Sequence, residues 1–155
     1  MSANLVETWM RAALVEAGRA EAHGEVPIGA VVVLDGAIVA TGFNQPIGTS
    51  DPTAHAEVVA LRAAASAVAN YRLTGAIVCV TLEPCLMCVG AMIQARVGTI
   101  VYGAPEPKTG ALGSTTNALR EAGAEGRVRV EGGVLAGECR DLVQAFFRGR
   151  RGGLR

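Results

Sequence analysis

Apolar residues are spaced along the chain in two ways, at a helical period and in short continuous runs. The helical spacing predicts helices over 5–20, 52–68, 83–96 and 137–151. The short runs predict five strands, over 27–34, 37–43, 75–82, 98–104 and 127–132. Strands that alternate with helices are typical of an α/β fold, in which a mixed sheet is covered by helices on both faces.

The first two strand runs are joined by Asp35-Gly36, a dipeptide that is typical of a tight β-hairpin. These two strands are therefore predicted to be antiparallel, whereas the later strands follow helices and can run parallel. The sequence contains no linker and no internal repeat, which predicts a single domain over residues 1–155. The stretch 103–119 is rich in Gly, Pro and Thr. This composition predicts a loop, which is either functional or a plain surface connection.

Composition narrows the class of protein. Hydrophobic residues make up 50% of the chain and charged residues 18%, which predicts an ordered globular protein. The apolar runs are shorter than a membrane span. The first 25 residues contain four acids and no long apolar core, which argues against a secretory leader. We therefore expect a soluble, cytoplasmic protein that does not associate with a membrane.

Charge adds one local feature to this picture. The formal net charge of +0 gives no overall field that would attract nucleic acid. The last eight residues, 148–155, nevertheless contain four arginines and no acid. This leaves two interpretations open, a solvated tail or a segment that binds phosphate groups of a nucleic acid.

The four cysteines fall into two classes. Cys79 lies in a strand run and Cys139 in the last helical pattern, so both are expected to be inert core thiols. In the motif PCLMC, a helix that begins at Pro84 would place Cys85 and Cys88 on one face of its first turn. That spacing suits two ligands of one metal ion, and a helix N-terminus favours thiolates. Two structural cysteines or a redox pair would give the same motif.

Of the two histidines, one lies in a position that suits a third metal ligand. His23 follows the first helix, whereas His55 precedes an apolar helical run. Helices that follow strands begin at one edge of an α/β sheet, which would bring His55 to Cys85 and Cys88. Three protein ligands with an open fourth position are typical of a catalytic rather than a structural zinc site.

Glu57 follows His55 by two residues, and at the first turn of a helix both side chains can reach a metal beyond the helix end. We predict that His55 binds zinc while Glu57 accepts a proton from a water that zinc acidifies. The alternative is that Glu57 only stabilises the helix N-terminus through the helix dipole.

Two motifs, HAE at 55–57 and PCLMC at 84–88, resemble the H-x-E and P-C-x-x-C motifs of the zinc-dependent nucleobase deaminases. The segments NQPIG, DPTAHAE, KTGALGS and FFRGRR resemble the bacterial tRNA-specific adenosine deaminases in particular, and this resemblance covers nearly the whole chain. It implies a cytidine-deaminase-like α/β/α sandwich, one Zn²⁺ per chain and a homodimer. The implied reaction is hydrolysis of adenosine to inosine at the wobble position of a tRNA anticodon, with an arginine tRNA as the expected substrate.

The resemblance also implies contacts with the substrate. Asn44 matches a residue that hydrogen-bonds the extruded base, and the backbone of Ala56 can contact that base. The residues that match pocket walls are Ile28, Leu82 and Pro84. The residues that match the RNA-contacting C-terminal helix are Phe146, Phe147, Arg148, Arg150 and Arg151. The resemblance therefore favours the nucleic-acid interpretation of the basic tail.

The sequence departs from the family pattern at two places. Glu106 lies between two prolines, where the family commonly has an aspartate in a loop beside the substrate, and we keep it as a candidate substrate contact. Thr49 and Ser50 occupy positions that are often basic, which removes two possible phosphate contacts.

Two other functions remain open from the sequence. A free nucleobase or nucleoside deaminase of the guanine or cytosine type would use the same zinc chemistry without needing the arginine tail. A zinc-stabilised scaffold or RNA-binding module would need no unliganded Glu57, and its site would normally be closed by a fourth ligand.

Overall fold

The computed structural model describes residues 1–153, with side chains as far as residue 150. Helices and strands alternate along the chain. In chain order they are α1 (Ala3–Ala22), β1 (Gly29–Leu34), β2 (Ala37–Phe43), α2 (Pro46–Thr49), α3 (Ala56–Val68), β3 (Ile77–Leu82), α4 (Leu86–Gln94), β4 (Thr99–Ala104), α5 (Ala118–Glu121), β5 (Arg129–Glu131) and α6 (Ala136–Gly153).

The hairpin between β1 and β2 has the turn that the sequence predicts. Asp35 and Gly36 have φ angles of 51° and 77°, the left-handed pair that a type I′ turn requires. Leu34 pairs with Ala37 beside the turn, and a register shift after Val32 lets the two strands stay paired to their far ends.

The five strands form one mixed sheet in the order β2-β1-β3-β4-β5. β1 is antiparallel to both β2 and β3, whereas β3, β4 and β5 are mutually parallel. Consequently β1 begins at the same edge of the sheet at which β2, β3 and β4 end. We call this the site edge, and Ile28, Asn44, Glu83 and Pro105 are the first residues beyond the four strands there.

Helices cover both faces of the sheet, which confirms the α/β/α architecture. α1 and α6 pack on one face around a cluster that includes Trp9, Met10 and Cys139. α3 and α4 pack on the other face around a cluster that includes Leu61 and Met92. Apolar burial on both faces explains why the central strands are almost continuously hydrophobic.

Two helices begin later than the sequence predicts. α3 begins at Ala56 rather than residue 52, because the Asp51 carboxylate accepts hydrogen bonds from the amide and hydroxyl of Thr53 at 2.9 and 2.7 Å and holds a turn there. α4 begins at Leu86 rather than Pro84, because the extended chain of β3 continues for three more residues. Glu83 still donates its amide to the carbonyl of Ala104 at 2.8 Å.

The short helices α2 and α5 are not predicted by periodicity, since four residues are too few to show it. Among the helices of residues 1–153, none combines the length and the apolar character needed to span a bilayer.

Candidate active site

The two late helix starts place His55 and Cys85 at equivalent positions. Each is the N-cap of its helix with extended backbone angles, so each side chain lies beyond the helix end at the site edge. Cys88 lies one turn into α4 and is fully buried. The first turn of α4 and the start of α3 thus bring an imidazole and two thiols together.

The distances between these three side chains fit one metal ion. His55 Nδ1 lies 3.6 Å from Cys85 Sγ and 3.4 Å from Cys88 Sγ, and all three ligand atoms lie within 4.8 Å of one another. A tetrahedral zinc with bonds of ~2.0–2.1 Å to nitrogen and ~2.3 Å to sulfur places its ligand atoms roughly 3.6–3.8 Å apart. The set of one nitrogen and two sulfurs is also the chemistry that zinc prefers.

The two thiols share one hydrogen bond and differ in acidity. The pKa of Cys85 is lowered to about 4, chiefly because the Cys88 thiol donates a hydrogen bond to it, with a further contribution from His55. The same hydrogen bond raises the pKa of Cys88. Burial raises the pKa of Cys79 to about 12 and that of Cys139 to about 11, so both are thiols at neutral pH.

Glu57 lies in the first turn of α3 with only 4% of its surface exposed. Burial is the main reason that its pKa is raised, to about 7, with the neighbouring Cys85 contributing in the same direction. A carboxyl group with a pKa near neutrality can both accept and donate a proton. The three side chains that could hold one metal ion do not include Glu57, which lies in the helix turn that follows His55.

A small cavity of about 70 Å³ opens over these residues. Its walls come from the site edge and from one loop of the chain. They are formed by Ile28, His55, Glu57, Leu82, Glu83, Cys85 and Thr109. Of these, Glu83 and Thr109 are not singled out by the sequence analysis.

Three other residues expected at the pocket, Asn44, Ala56 and Pro84, do not line this cavity but adjoin residues that do. Asn44 is buried at 6% exposure, and its backbone N–H donates to the Ile28 carbonyl at 3.0 Å, which keeps the ends of β1 and β2 together. Ala56 and Pro84 are buried next to His55 and Cys85.

Residues 3–104 match the family model of the cytidine and deoxycytidylate deaminase zinc-binding region. The match includes all three metal ligands and Glu57. This chain belongs to the zinc-dependent cytidine and deoxycytidylate deaminase family. The zinc expected from the sequence is thereby supported both by the family and by the geometry of the three ligands.

Two relatives of this deaminase have names that concern tRNA. The tRNA-specific adenosine deaminase of Haemophilus influenzae is 47% identical over 146 residues, which cover 94% of this chain and 84% of that protein. A solved structure from studies of A-to-I editing by tRNA:A34 deaminases at the wobble position is 41% identical, with a TM-score of 0.84. That match covers 87% of this chain and 98% of the other.

A second similar solved structure is that of a guanine deaminase. The guanine deaminase of Nitrosomonas europaea is 25% identical, with a TM-score of 0.78, and the match covers 90% of this chain and 83% of the other. The same fold therefore occurs in proteins with both kinds of substrate.

The deaminase has a second cavity beside the first, of about 670 Å³. The loop 106–109 forms one wall, and Val143, Gln144, Phe147 and Arg148 of α6 form the other. Three of the predicted substrate contacts, Glu106, Phe147 and Arg148, therefore lie together in this groove. Thr109 lines both cavities, so the groove adjoins the metal site.

Two predicted RNA contacts have partners within the deaminase instead. The Arg150 guanidinium lies 4.7 Å from the centre of the Phe146 ring and donates a hydrogen bond to the carbonyl of Gly24. Arg150 thus joins α6 to the turn after α1. The backbone of Arg151 is part of α6, and its side chain lies outside the described residues.

Glu25 is a buried carboxylate that no sequence motif indicates, and it holds the segment after Asn44. Glu25 is 1% exposed and accepts hydrogen bonds from the amides of Ile47 and Gly48 at 3.2 and 2.7 Å. The only sequence signal for it is an acidic residue immediately before an apolar strand.

Proposed function

We propose that the protein hydrolyses adenosine to inosine at the wobble position of a tRNA anticodon. The observation that carries this proposal is the buried Glu57 beside three metal ligands, in a chain that matches tRNA-specific deaminases over nearly its whole length. The groove between loop 106–109 and α6 supports a substrate larger than a single base.

His55, Cys85 and Cys88 would hold the zinc ion, which would acidify the attacking water. In the proposed reaction Glu57 takes one proton from the attacking water and delivers it to N1 of the adenine. A carbon–oxygen bond forms at C6. Glu57 then transfers the proton of the new C6 hydroxyl to the amino group, the C6–N bond breaks as the C6 carbonyl forms, and ammonia leaves.

The walls of the base pocket would be formed by Ile28, Leu82 and Pro84. Hydrogen bonds to the base would come from Asn44 and from the backbone of Ala56. An anticodon loop is already partly unstacked, so extrusion of its base costs less than opening a duplex. Glu106, Phe147 and Arg148 line the groove next to the base pocket, where they would contact the neighbouring nucleotides.

Mass spectrometry of tRNA incubated with the purified, zinc-loaded protein tests the proposal. Inosine should appear at the wobble adenosine, and among a cell's tRNAs we expect it in an arginine tRNA. The second candidate function is deamination of guanine or another free base, which the similarity to the Nitrosomonas europaea enzyme favours. Ammonia release from guanine, cytosine or adenosine with no change in tRNA would replace the first proposal by the second.

We also propose a homodimer, formed through the outer surface of α3 and α4. Tyr71 is 71% exposed there and Leu86 61%, and a cavity of about 400 Å³ lies between Tyr71, Leu61 and Ala91. Exposed apolar clusters of this kind mark interaction sites. Tyr71→Asp should shift the mass in solution towards the monomer, whereas Val15→Asp, at an equally exposed site on α1, should not.

Two simpler parts of the proposal concern the chain as a whole. Residues 1–155 would form a single deaminase domain, and limited proteolysis should yield one protected core rather than two separately stable fragments. The protein would work in the cytoplasm, where tRNA is found, which fractionation of cells with an antibody against the chain would test.

A further inference from the structure

Glu83 links the metal-binding segment to the loop that forms the wall of both cavities. It follows β3 directly, precedes Pro84 and Cys85, and is 3% exposed. One carboxylate oxygen accepts hydrogen bonds from the amide of Glu106 at 3.0 Å and from the Ser114 hydroxyl. The other accepts from the amides of Leu112 and Ser114 at 2.9 and 3.2 Å.

These four donors come from one loop, residues 105–114, which we call the 105–114 loop. Hydrogen bonds to an ionised group are about twice as strong as neutral ones, so the carboxylate is the strongest single attachment of this backbone. The loop is also joined to the metal-binding segment by the amide of Ala111, which donates to the Pro84 carbonyl at 2.9 Å.

Gly110 shows how closely the loop approaches Glu83. A Cβ atom at this position would overlap the Glu83 carboxyl group, so only glycine allows the loop to pass. Gly110 also forms an antiparallel bridge with Cys85, one of the metal ligands. The path of the loop is therefore set by residues 83–85 together with the glycine at position 110.

The position of the loop matters because its middle residues line both cavities. Thr109 reaches the small cavity beside Glu57, and the residues 106–109 form the wall of the groove opposite Phe147 and Arg148. A shift of this backbone would therefore move contacts to the base and to its neighbours together.

We propose that Glu83 is a positioning residue for substrate recognition, which holds the 105–114 loop in the shape that both cavities require. Glu83 borders the small cavity, but both of its oxygens accept hydrogen bonds from the loop, so it acts through the loop. The part of this inference that concerns RNA rests on the proposed function. The part that concerns the loop does not.

Glu83→Gln keeps the size of the side chain but leaves one acceptor oxygen, and its amide group faces two of the four donors. We expect KM for a tRNA anticodon stem-loop to rise roughly 10- to 100-fold, the effect of losing hydrogen bonds to a charged group, while kcat and zinc content stay close to wild type. Hydrogen–deuterium exchange should become faster at the amides of Glu106, Leu112 and Ser114.

Ser114→Ala is the second variant, because this exposed residue can be changed without disturbing the core. It removes one donor to Glu83 and should raise KM in the same direction by a smaller factor, whereas Ser114→Thr keeps the hydroxyl and should restore it. In the Glu83→Gln background Ser114→Ala should have no further effect, since the two residues act through one interaction. Glu16→Gln, a buried glutamate on α1, is the matched control and should leave loop exchange and KM unchanged.

Unchanged loop exchange and unchanged KM in zinc-loaded Glu83→Gln would overturn the inference. Loss of zinc in that variant would also overturn it, because Glu83 would then support the metal site instead of the loop. If the wild-type protein modifies no tRNA, the proposed function fails, and the exchange rates of Glu83→Gln still decide whether Glu83 holds the loop.

Discussion

Glu57 is a carboxyl group whose surroundings favour its neutral form, next to side chains that favour a metal cation. Burying an acid costs free energy. An acid that only stabilised a helix N-terminus could be replaced with little loss, so a purely structural role does not explain why Glu57 is buried here. The roles of the neighbouring side chains can be separated by single substitutions.

Glu57→Gln should keep zinc and lose activity. The substitution preserves size and leaves His55, Cys85 and Cys88 in place, but it removes the group that carries the protons. Inosine formation in a single-turnover assay should fall by at least ~10²–10⁴-fold, the usual contribution of a positioned acid–base group. A zinc-loaded variant that works at the wild-type rate would exclude Glu57 as the proton carrier, and a variant without zinc would make it a ligand or a support of one.

Cys85→Ala should remove zinc and activity together, because two ligands hold the metal far more weakly than three. Cys79→Ala and Cys139→Ala should retain about one zinc per chain, since both thiols are buried in the opposite cluster. Elemental analysis of the purified variants measures this directly. Full zinc content in Cys85→Ala would show that this cysteine is not a ligand.

Alkylation provides a test of thiol acidity that does not depend on activity. After zinc is removed by a chelator, Cys85 should react first with iodoacetamide at pH 7, because its pKa is lowered to about 4 by the Cys88 hydrogen bond and it is half-buried rather than buried. Cys79 and Cys139 have pKa values of about 12 and 11 and should stay unmodified. Peptide mass spectrometry would identify the modified residue, and first modification at Cys79 would contradict this order.

At the scale of elements, the start of α3 depends on how closely that helix approaches β2. A Cβ atom at Gly42 would lie 2.6 Å from both the Ala56 carbonyl oxygen and the Ala60 amide nitrogen. These are backbone atoms in the first turns of the helix that carries His55 and Glu57, so neither can move without moving the site.

Gly42→Ala should therefore destabilise the protein by about 1–3 kcal/mol and weaken zinc binding. Gly18→Ala is the matched control: Gly18 lies on the exposed side of α1 with no atom within 4 Å of its Cβ position. That substitution should stabilise the protein by about 0.5–1 kcal/mol, because alanine loses less backbone entropy in a helix. Urea unfolding and competition with a zinc chelator measure both effects. An unchanged free energy of unfolding in Gly42→Ala would contradict the close approach of α3 to β2.

The elements that the sequence predicts well are those with a repeated apolar pattern. α1 and the hairpin at Asp35-Gly36 lie where periodicity and turn chemistry place them. The starts of α3 and α4 are missed because they depend on hydrogen bonds that Thr53 donates to Asp51 and on strand pairing of Glu83, which periodicity does not record.

The site follows the same division. Site residues with distinctive chemistry, such as His55 and Cys88, can be identified from the sequence because few other residue types could bind the metal. Thr109 and Glu83 could not be chosen, since their importance comes from the path of a loop. The partner of Arg150 is a backbone carbonyl, which no residue type reveals.

At the scale of the whole molecule, the tail of α6 has two kinds of arginine. Arg148 lines the groove and is exposed, whereas Arg150 is engaged by Gly24 and Phe146. Arg148→Gln should weaken binding of an anticodon stem-loop and reduce the slope of log K against log salt by about 0.7–0.9, the value for one phosphate contact. Fluorescence anisotropy across a salt series measures it.

Arg150→Gln should act differently, by loosening α6 from the turn after α1. Its main effect should be faster hydrogen exchange in α6 near residue 150, with a smaller change in the salt slope than Arg148→Gln. Equal changes in the salt slope for the two variants would mean that both arginines contact phosphate. Arg150 would then leave the Gly24 carbonyl when RNA binds.

The antiparallel pairing of β1 with β3 has a consequence for how the protein folds and survives. His55 lies in the chain between the two paired segments and the two cysteines follow the second segment, so the three ligands meet only when residues 30–33 have paired with residues 77–80. Zinc therefore binds the assembled protein and not its halves, and each bound ion adds to the free energy of unfolding, by about 4 kcal/mol when free zinc is a thousandfold above its Kd. Zinc starvation would thus shorten the lifetime of the folded chain in a cell as well as stop its chemistry.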